Sequence, residues 1–126
     1  MIHGIGTDIV EVVRFDSMQA RYGERLAERV LSNAELAKLP AQIHPARFIA
    51  KRFAAKEAFA KAVGTGLRHP VSLQRITIVN DELGKPSLQF DKVLDEYLAR
   101  LGIAAHHLSI SDEHHHVVAF VVLEKN

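Results

Sequence analysis

The stretch from Ala46 to Val63 constrains this chain more than any other. It reads Ala46-Arg47-Phe48-Ile49-Ala50-Lys51-Arg52-Phe53-Ala54-Ala55-Lys56-Glu57-Ala58-Phe59-Ala60-Lys61-Ala62-Val63, dominated by strong helix formers. Phe48, Ile49, Phe53, Phe59 and Val63 supply apolar contacts, and Gly64 and Gly66 end the run. A helix of this length needs a surface to pack on, and the flanking segments provide strands. Residues 2–12 mix β-branched residues with Gly. They predict a strand in which Ile5, Asp8 and Val10 do not alternate cleanly, so a bulge or an early end is expected. Further strands are predicted at about 74–79, 87–90, 106–112 and 116–124, with a turn over Asp81–Pro86.

The remaining helices follow from spacing. Residues 14–30 place Phe15, Tyr22, Leu26 and Val30 on one core-facing stripe, with Gly23 as a break. Ser32 and Glu35 form a capping box that opens a short helix over about 33–39. Pro40 and Pro45 bracket a loop. Residues 91–101 read as an amphipathic helix closed by Gly102. The expectation is an α+β fold in one domain, 1–126, with an antiparallel sheet packed against a long central helix. The last strand is apolar at nearly every position from Val117 to Leu123, which predicts burial of both its faces.

Composition excludes several chemistries. With no Cys, disulfide frameworks, thiolate zinc sites and cysteine nucleophiles are ruled out. No stretch approaches a membrane span. The first residues lack a basic n-region, and Asp8 and Glu11 interrupt the apolar run, so a signal peptide is not expected and the expected compartment is the cytoplasm. A net charge of +1 argues against a nucleic-acid partner. Charge is nevertheless concentrated, with Arg14, Arg21, Arg25 and Arg29 in one segment and Arg47, Lys51, Arg52, Lys56 and Lys61 in another. Anionic partners fit at two places.

Two carboxylates carry the chemistry. Asp8 lies in the otherwise apolar start Gly4-Ile5-Gly6-Thr7-Asp8-Ile9-Val10-Glu11. A carboxylate on a buried strand is costly unless paired or bound to a cation. Capping of the next helix, or turn hydrogen bonds, would also account for it. On the long helix, positions 50, 54, 57 and 61 share a face, and Ala50 and Ala54 keep it low beside Glu57. Glu57 and Lys61, in the favourable order, also fit a surface ion pair. Brought together with lysines nearby, Asp8 and Glu57 would hold a hard cation carrying a phosphate. The residues alone leave open a Mg²⁺-dependent phosphohydrolase or nuclease, and a non-catalytic module for acidic proteins built on the arginine face. His114-His115-His116 alternates across a strand or sits in a turn, neither of which converges three rings on one metal.

The chain resembles the holo-acyl-carrier-protein synthases, the small bacterial phosphopantetheinyl transferases. The resemblance rests on Gly4–Glu11 and on Phe53–Ala62. Gly84-Lys85-Pro86 and His107-Leu108-Ser109-Ile110-Ser111 match further motifs in the same order, across essentially the whole chain. It implies the phosphopantetheinyl transferase fold and transfer of 4'-phosphopantetheine from coenzyme A to a serine of an acyl carrier protein. The other product is adenosine 3',5'-bisphosphate, and the role is in fatty acid biosynthesis. It implies Asp8 and Glu57 as Mg²⁺ ligands, Lys61 on a phosphate oxygen, and either Glu57 or a metal-bound water as the base. Arg52 and Lys85 are implied at phosphate or adenine-side groups of coenzyme A, and Pro86 in the adenine-side loop. Gly64 is implied where the backbone approaches the ligand, although an ordinary helix C-cap fits it too. His107 and Ser109 are implied along the coenzyme site. The chain departs from the family pattern at Asp112, where some relatives carry His, and at Ala60, where some carry a small polar residue. Arg14, Met18, Arg21, Arg25 and Arg29 recur at spacings of four, three, four and four; on a continuous helix they form one face that would receive an acidic carrier protein, with Met18 as an adaptable apolar contact. The family also implies a homotrimer with active sites between subunits.

Overall fold

A computed structural model describes the sequence from Met1 to Asn126. The elements run β1 (Ile2–Glu11), α1 (Val12–Tyr22), α2 (Glu24–Val30), α3 (Asn33–Lys38), α4 (Pro45–Val63), β2 (Ile76–Asn80), β3 (Pro86–Phe90), α5 (Lys92–Arg100), β4 (Ile103–Asp112) and β5 (His116–Lys125). Short 3-10 turns occupy Leu39–Ala41 and Leu73–Arg75. The fold is α+β. The strands form two antiparallel sheets rather than one, a three-stranded sheet in the order β1-β5-β4 and the hairpin β2-β3.

Helix α4 is the centre of the molecule. Thirteen of its nineteen residues are buried, far more than a helix lying on a surface would bury. It packs on β1 and β5. It also belongs to two apolar clusters, one with Ile76, Leu94, Val117 and Val121, the other with Phe15, Leu26, Val30 and Leu31. Its alanines allow this, because small side chains let neighbours come close on every side. The closest approach is to β1. A Cβ on Gly6 would lie 1.8 Å from the Ala58 carbonyl oxygen, and one on Gly4 would lie 1.9 Å from that of Ala62. Only glycine fits at either position. Strand alternation then places Asp8 on the same helix-facing side as Gly4 and Gly6.

Several boundaries differ from the sequence expectation. Gly23, with φ 57°, separates α1 from α2 and turns the chain, so Tyr22 is 47% exposed and leaves the core stripe that Phe15, Leu26 and Val30 keep. Helix α1 starts at Val12, whose N–H donates to the His115 carbonyl. Pro45 is the first residue of α4, where its fixed φ suits a helix start, and not a loop residue. β2 starts later than expected because residues 73–75 form a 3-10 turn, and β4 starts earlier, at Ile103. The irregularity expected around Ile5, Asp8 and Val10 is absent, since β1 keeps one register with β5 from Gly4 to Glu11; the register shift in this strand lies earlier, between Ile2 and Gly4. In β5, Val117, Ala119, Val121 and Leu123 are buried under α4, whereas Phe120 is 45% exposed. A single chain therefore covers only one face of this strand.

Candidate functional site

Residues distant in sequence converge where β1 meets the middle of α4. The Lys61 ammonium donates to Asp8 Oδ1 at 3.1 Å and to the Thr7 carbonyl at 2.9 Å. The Asp8 side chain is mostly buried, and its Oδ2 has no hydrogen-bond partner. Burial pushes the Glu57 carboxyl above its ordinary pKa, the Asp8 charge raises it further, and Lys61 partly offsets both. Two carboxylates near enough to repel, one with an orphaned buried oxygen, fit a hard divalent cation. They form a pair and not a cage, since no group of three or more His, Cys, Asp or Glu is assembled anywhere. Mg²⁺ would therefore complete its shell with phosphate and water oxygens, which is its usual habit.

The face of α4 that opens here is not the one its spacing predicts. Ala50 and Ala54 are wholly buried. The partly open stripe runs Phe53, Glu57, Lys61. From it a groove of about 950 Å³ extends between β1, α1 and α2, lined by Asp8, Val13, Arg14, Met18, Arg29 and Phe53 among others. The expected arginine face is thus divided. Arg14 and Met18 on α1 and Arg29 on α2 line the groove, whereas Arg21 and Arg25 do not. The division falls within each helix, since Arg21 shares α1 with Arg14 and Arg25 shares α2 with Arg29, while Gly23 ends the continuous helix on which all five would share a face. Arg14 also pairs with Glu11 at 3.6 Å, and Arg21 lies over the Tyr22 ring.

A second cleft, of about 420 Å³, includes Lys51, Arg52, Gly84, Pro86, Ile110 and Asp112 in its walls, and it shares no lining residue with the groove. Arg52 is buried, with its guanidinium stacked 3.6 Å from the Phe48 ring centroid. Burial lowers its pKa, and the nearby Glu35 opposes the shift. Lys85 lies between Gly84 and Pro86 with its side chain exposed, and its N–H donates to Asp81 Oδ1 in the turn. Asp112 pairs with Arg47 and, at 3.5 Å, with Lys51. Arg47 also donates to the Glu113 and His114 carbonyls at 2.8 Å, which fixes the turn before β5. His114 and His115 are in that turn with ring centroids 4.4 Å apart.

His107 and Ser109 lie on the other side of the sheet. Register aligns Ile5, Val122 and His107 in one row and Thr7, Phe120 and Ser109 in the next, all pointing away from α4. His107 Nε2 is 2.6 Å from Glu124 Oε1. Gly64 is the left-handed C-cap of α4, with φ 98° and open space around it. One chain therefore assembles Asp8, Glu57 and Lys61, but it separates them from Arg52 and Pro86 and from His107 and Ser109. Glu35, which the spacing marks only as a cap, and Lys56, which it marks only as one of a basic cluster, form a buried pair 2.6 Å apart beneath Arg52. The signal was a lysine inside a run of buried alanines.

Residues 4–121 match the model of the 4'-phosphopantetheinyl transferase superfamily. A holo-[acyl-carrier-protein] synthase of Laribacter hongkongensis is 55% identical, over 98% of this chain and 99% of its own. The crystal structure of the Neisseria meningitidis holo-[acyl-carrier-protein] synthase superposes with a TM-score of 0.96 at 49% identity, covering 99% of this chain and 100% of that one. The Bacillus anthracis enzyme, solved in complex with CoA (3',5'-ADP), gives 0.83 at 38% identity, covering 100% and 99%. A match this complete, over the same span that brings β1 against α4, settles the family: the chain belongs to the 4'-phosphopantetheinyl transferase superfamily.

Proposed function

We propose that this protein transfers 4'-phosphopantetheine from coenzyme A to a serine hydroxyl of an apo acyl carrier protein, releasing adenosine 3',5'-bisphosphate. The observation that carries the proposal is the meeting of Asp8, Glu57 and Lys61 in a chain so similar to holo-[acyl-carrier-protein] synthases. Asp8 and Glu57 would hold Mg²⁺, the partnerless Asp8 Oδ2 being the oxygen that most needs a cation. When bound, the ion neutralises the pyrophosphate and polarises the phosphorus under attack. Lys61 is tethered to the Thr7 carbonyl and reaches the same centre, so its ammonium stabilises a phosphate oxygen as charge builds there. The serine oxygen forms the new P–O bond as the bond to the bisphosphate leaving group breaks, and the serine proton passes to Glu57 or to a bound water. Because one chain separates them from this centre, Arg52, Lys85 and Pro86 hold the nucleotide end of a coenzyme A whose pyrophosphate lies at the Asp8 site of a neighbouring copy, with that copy's Gly64 bordering the molecule.

The groove beside Asp8 receives the carrier protein, with Arg14 and Arg29 facing its acidic surface and Met18 between them. The apolar outer rows of β1 and β5, exposed in one chain, are where copies of the protein meet in a homotrimer. Such an arrangement brings His107 and Ser109 of one copy toward the phosphate centre of another. No helix is long and apolar enough to cross a membrane, and the reaction belongs to the cytoplasm. The test is to incubate the protein with coenzyme A, Mg²⁺ and apo carrier protein and weigh the carrier by mass spectrometry. The carrier gains one phosphopantetheine. An unchanged carrier mass, with carrier shown to be competent, rejects the proposal.

A further inference from the structure

Glu35 has more partners than its place in a short helix needs. It is 1% exposed and caps α3 by accepting from the Ser32 N–H at 2.9 Å, which is all a capping box asks of it. Yet Oε1 also accepts from the Lys56 ammonium at 2.6 Å, and Oε2 accepts from the Ile78 N–H at 2.8 Å. Oε2 further faces Arg52 Nε at 3.6 Å. One buried carboxylate thus joins α3, α4 and β2. Lys56 is fully buried, and its other bond goes to the Val30 carbonyl at 2.8 Å. Burying three charges to close a six-residue helix costs more than the cap returns. The arrangement needs another reason.

Arg52 supplies it. It lies in the wall of the second cleft, yet its Nε is buried with no hydrogen-bond partner. The guanidinium is held flat by the Phe48 ring and steered by the charge of Glu35. Held this way, an arginine keeps its outer nitrogens for an anion and spends no ordering entropy when the anion arrives. We propose that Glu35 is a positioning residue, a buried carboxylate that holds Arg52 in place at the cleft wall to receive a phosphate of coenzyme A. The assignment rests on the transferase reading above and adds to it a residue that does not touch the substrate.

The test compares the full chain with Glu35→Gln, Arg52→Ala and the combination of the two. A fourth variant, Glu35→Gln with Lys56→Met, removes both members of the tight ion pair, which a protein tolerates better than one orphaned charge. It secures the test if Glu35→Gln alone folds poorly. Steady-state assays give kcat and the KM of each substrate, and calorimetry gives the Kd of adenosine 3',5'-bisphosphate without turnover. Each Glu35 variant is expected to raise the coenzyme A KM and the bisphosphate Kd about tenfold, the scale of one hydrogen bond to a charged group. The carrier KM and kcat should stay within about twofold. Adding Arg52→Ala to Glu35→Gln should cost little beyond Arg52→Ala alone, because both act through one guanidinium. A purely structural Glu35 instead lowers Tm and the active fraction while leaving the bisphosphate Kd unchanged. That result, or full additivity with Arg52→Ala, overturns the assignment. Wild-type protein that adds nothing to the carrier overturns the transferase reading itself, which separates the two failures.

Discussion

Gly6→Ala is the sharpest probe of how this fold makes its site. The added Cβ would sit 1.8 Å from the Ala58 carbonyl oxygen, where ordinary contact begins at 3.4 Å, so β1 and α4 must separate by roughly 1.6 Å. The atom in the way is helix backbone in the main core and not a flexible side chain. Overpacking of this kind costs about 1–3 kcal/mol, and the rigid neighbour places this case near 3. For a chain of this size that lowers Tm by about 10 °C. The same movement lengthens the 3.1 Å bond between Lys61 and Asp8 and carries Asp8 away from Glu57. Misplacement by about 1 Å costs on the order of 100-fold in rate when positioning is the source of catalysis. The assay pairs thermal unfolding with carrier-protein modification at saturating coenzyme A. Gly102→Ala, away from the site, is the control, because its Cβ meets nothing within 4 Å and it carries only the strain of φ 78°, about 1 kcal/mol. A Gly6→Ala protein with unchanged Tm and kcat would refute the idea that close packing of strand on helix places the carboxylates.

Other outcomes follow from the same geometry. Glu57→Gln should abolish transfer yet raise the Tm of the metal-free protein at neutral pH, since burial and Asp8 both oppose ionisation of Glu57; a lower Tm contradicts that account. Asp8→Asn should weaken Mn²⁺ binding, read by electron paramagnetic resonance, with an unchanged circular dichroism spectrum, and intact binding would remove Asp8 from the ion's shell. Arg14→Glu should raise the carrier-protein KM several-fold and spare coenzyme A, and more so than Arg21→Glu, because only Arg14 lines the groove with Asp8. Burial, then the neighbouring His107, lowers the His106 pKa below 6.5, against a smaller opposing effect of Asp95. Between that lowered value and 6.5 the unfolded chain binds more protons, so stability rises with pH through this window and falls on acidification. Urea unfolding from pH 5 to 8 should show the slope in the wild type and a flatter one in His106→Leu; equal slopes would mean that His106 titrates alike in both states.

The elements of this protein were legible in its sequence because each has a local cause. The Ala-rich run makes α4, Ser32 and Glu35 cap α3 by the bonds their spacing requires, and Gly23 and Gly64 stop helices through their positive φ. The family was legible too, since its motifs are short contiguous strings. Tertiary structure decided what those strings meet. Nothing local reveals that Gly4 and Gly6 touch the carbonyls of Ala62 and Ala58, or that the open stripe of α4 is Phe53-Glu57-Lys61, because the angle at which a strand crosses a helix depends on every neighbour at once. For the same reason Glu35 looked like a cap and is the partner of Lys56 and Arg52. The hydrophobic pattern says which residues leave water, but only the packed chain says which charges leave with them and beside whom.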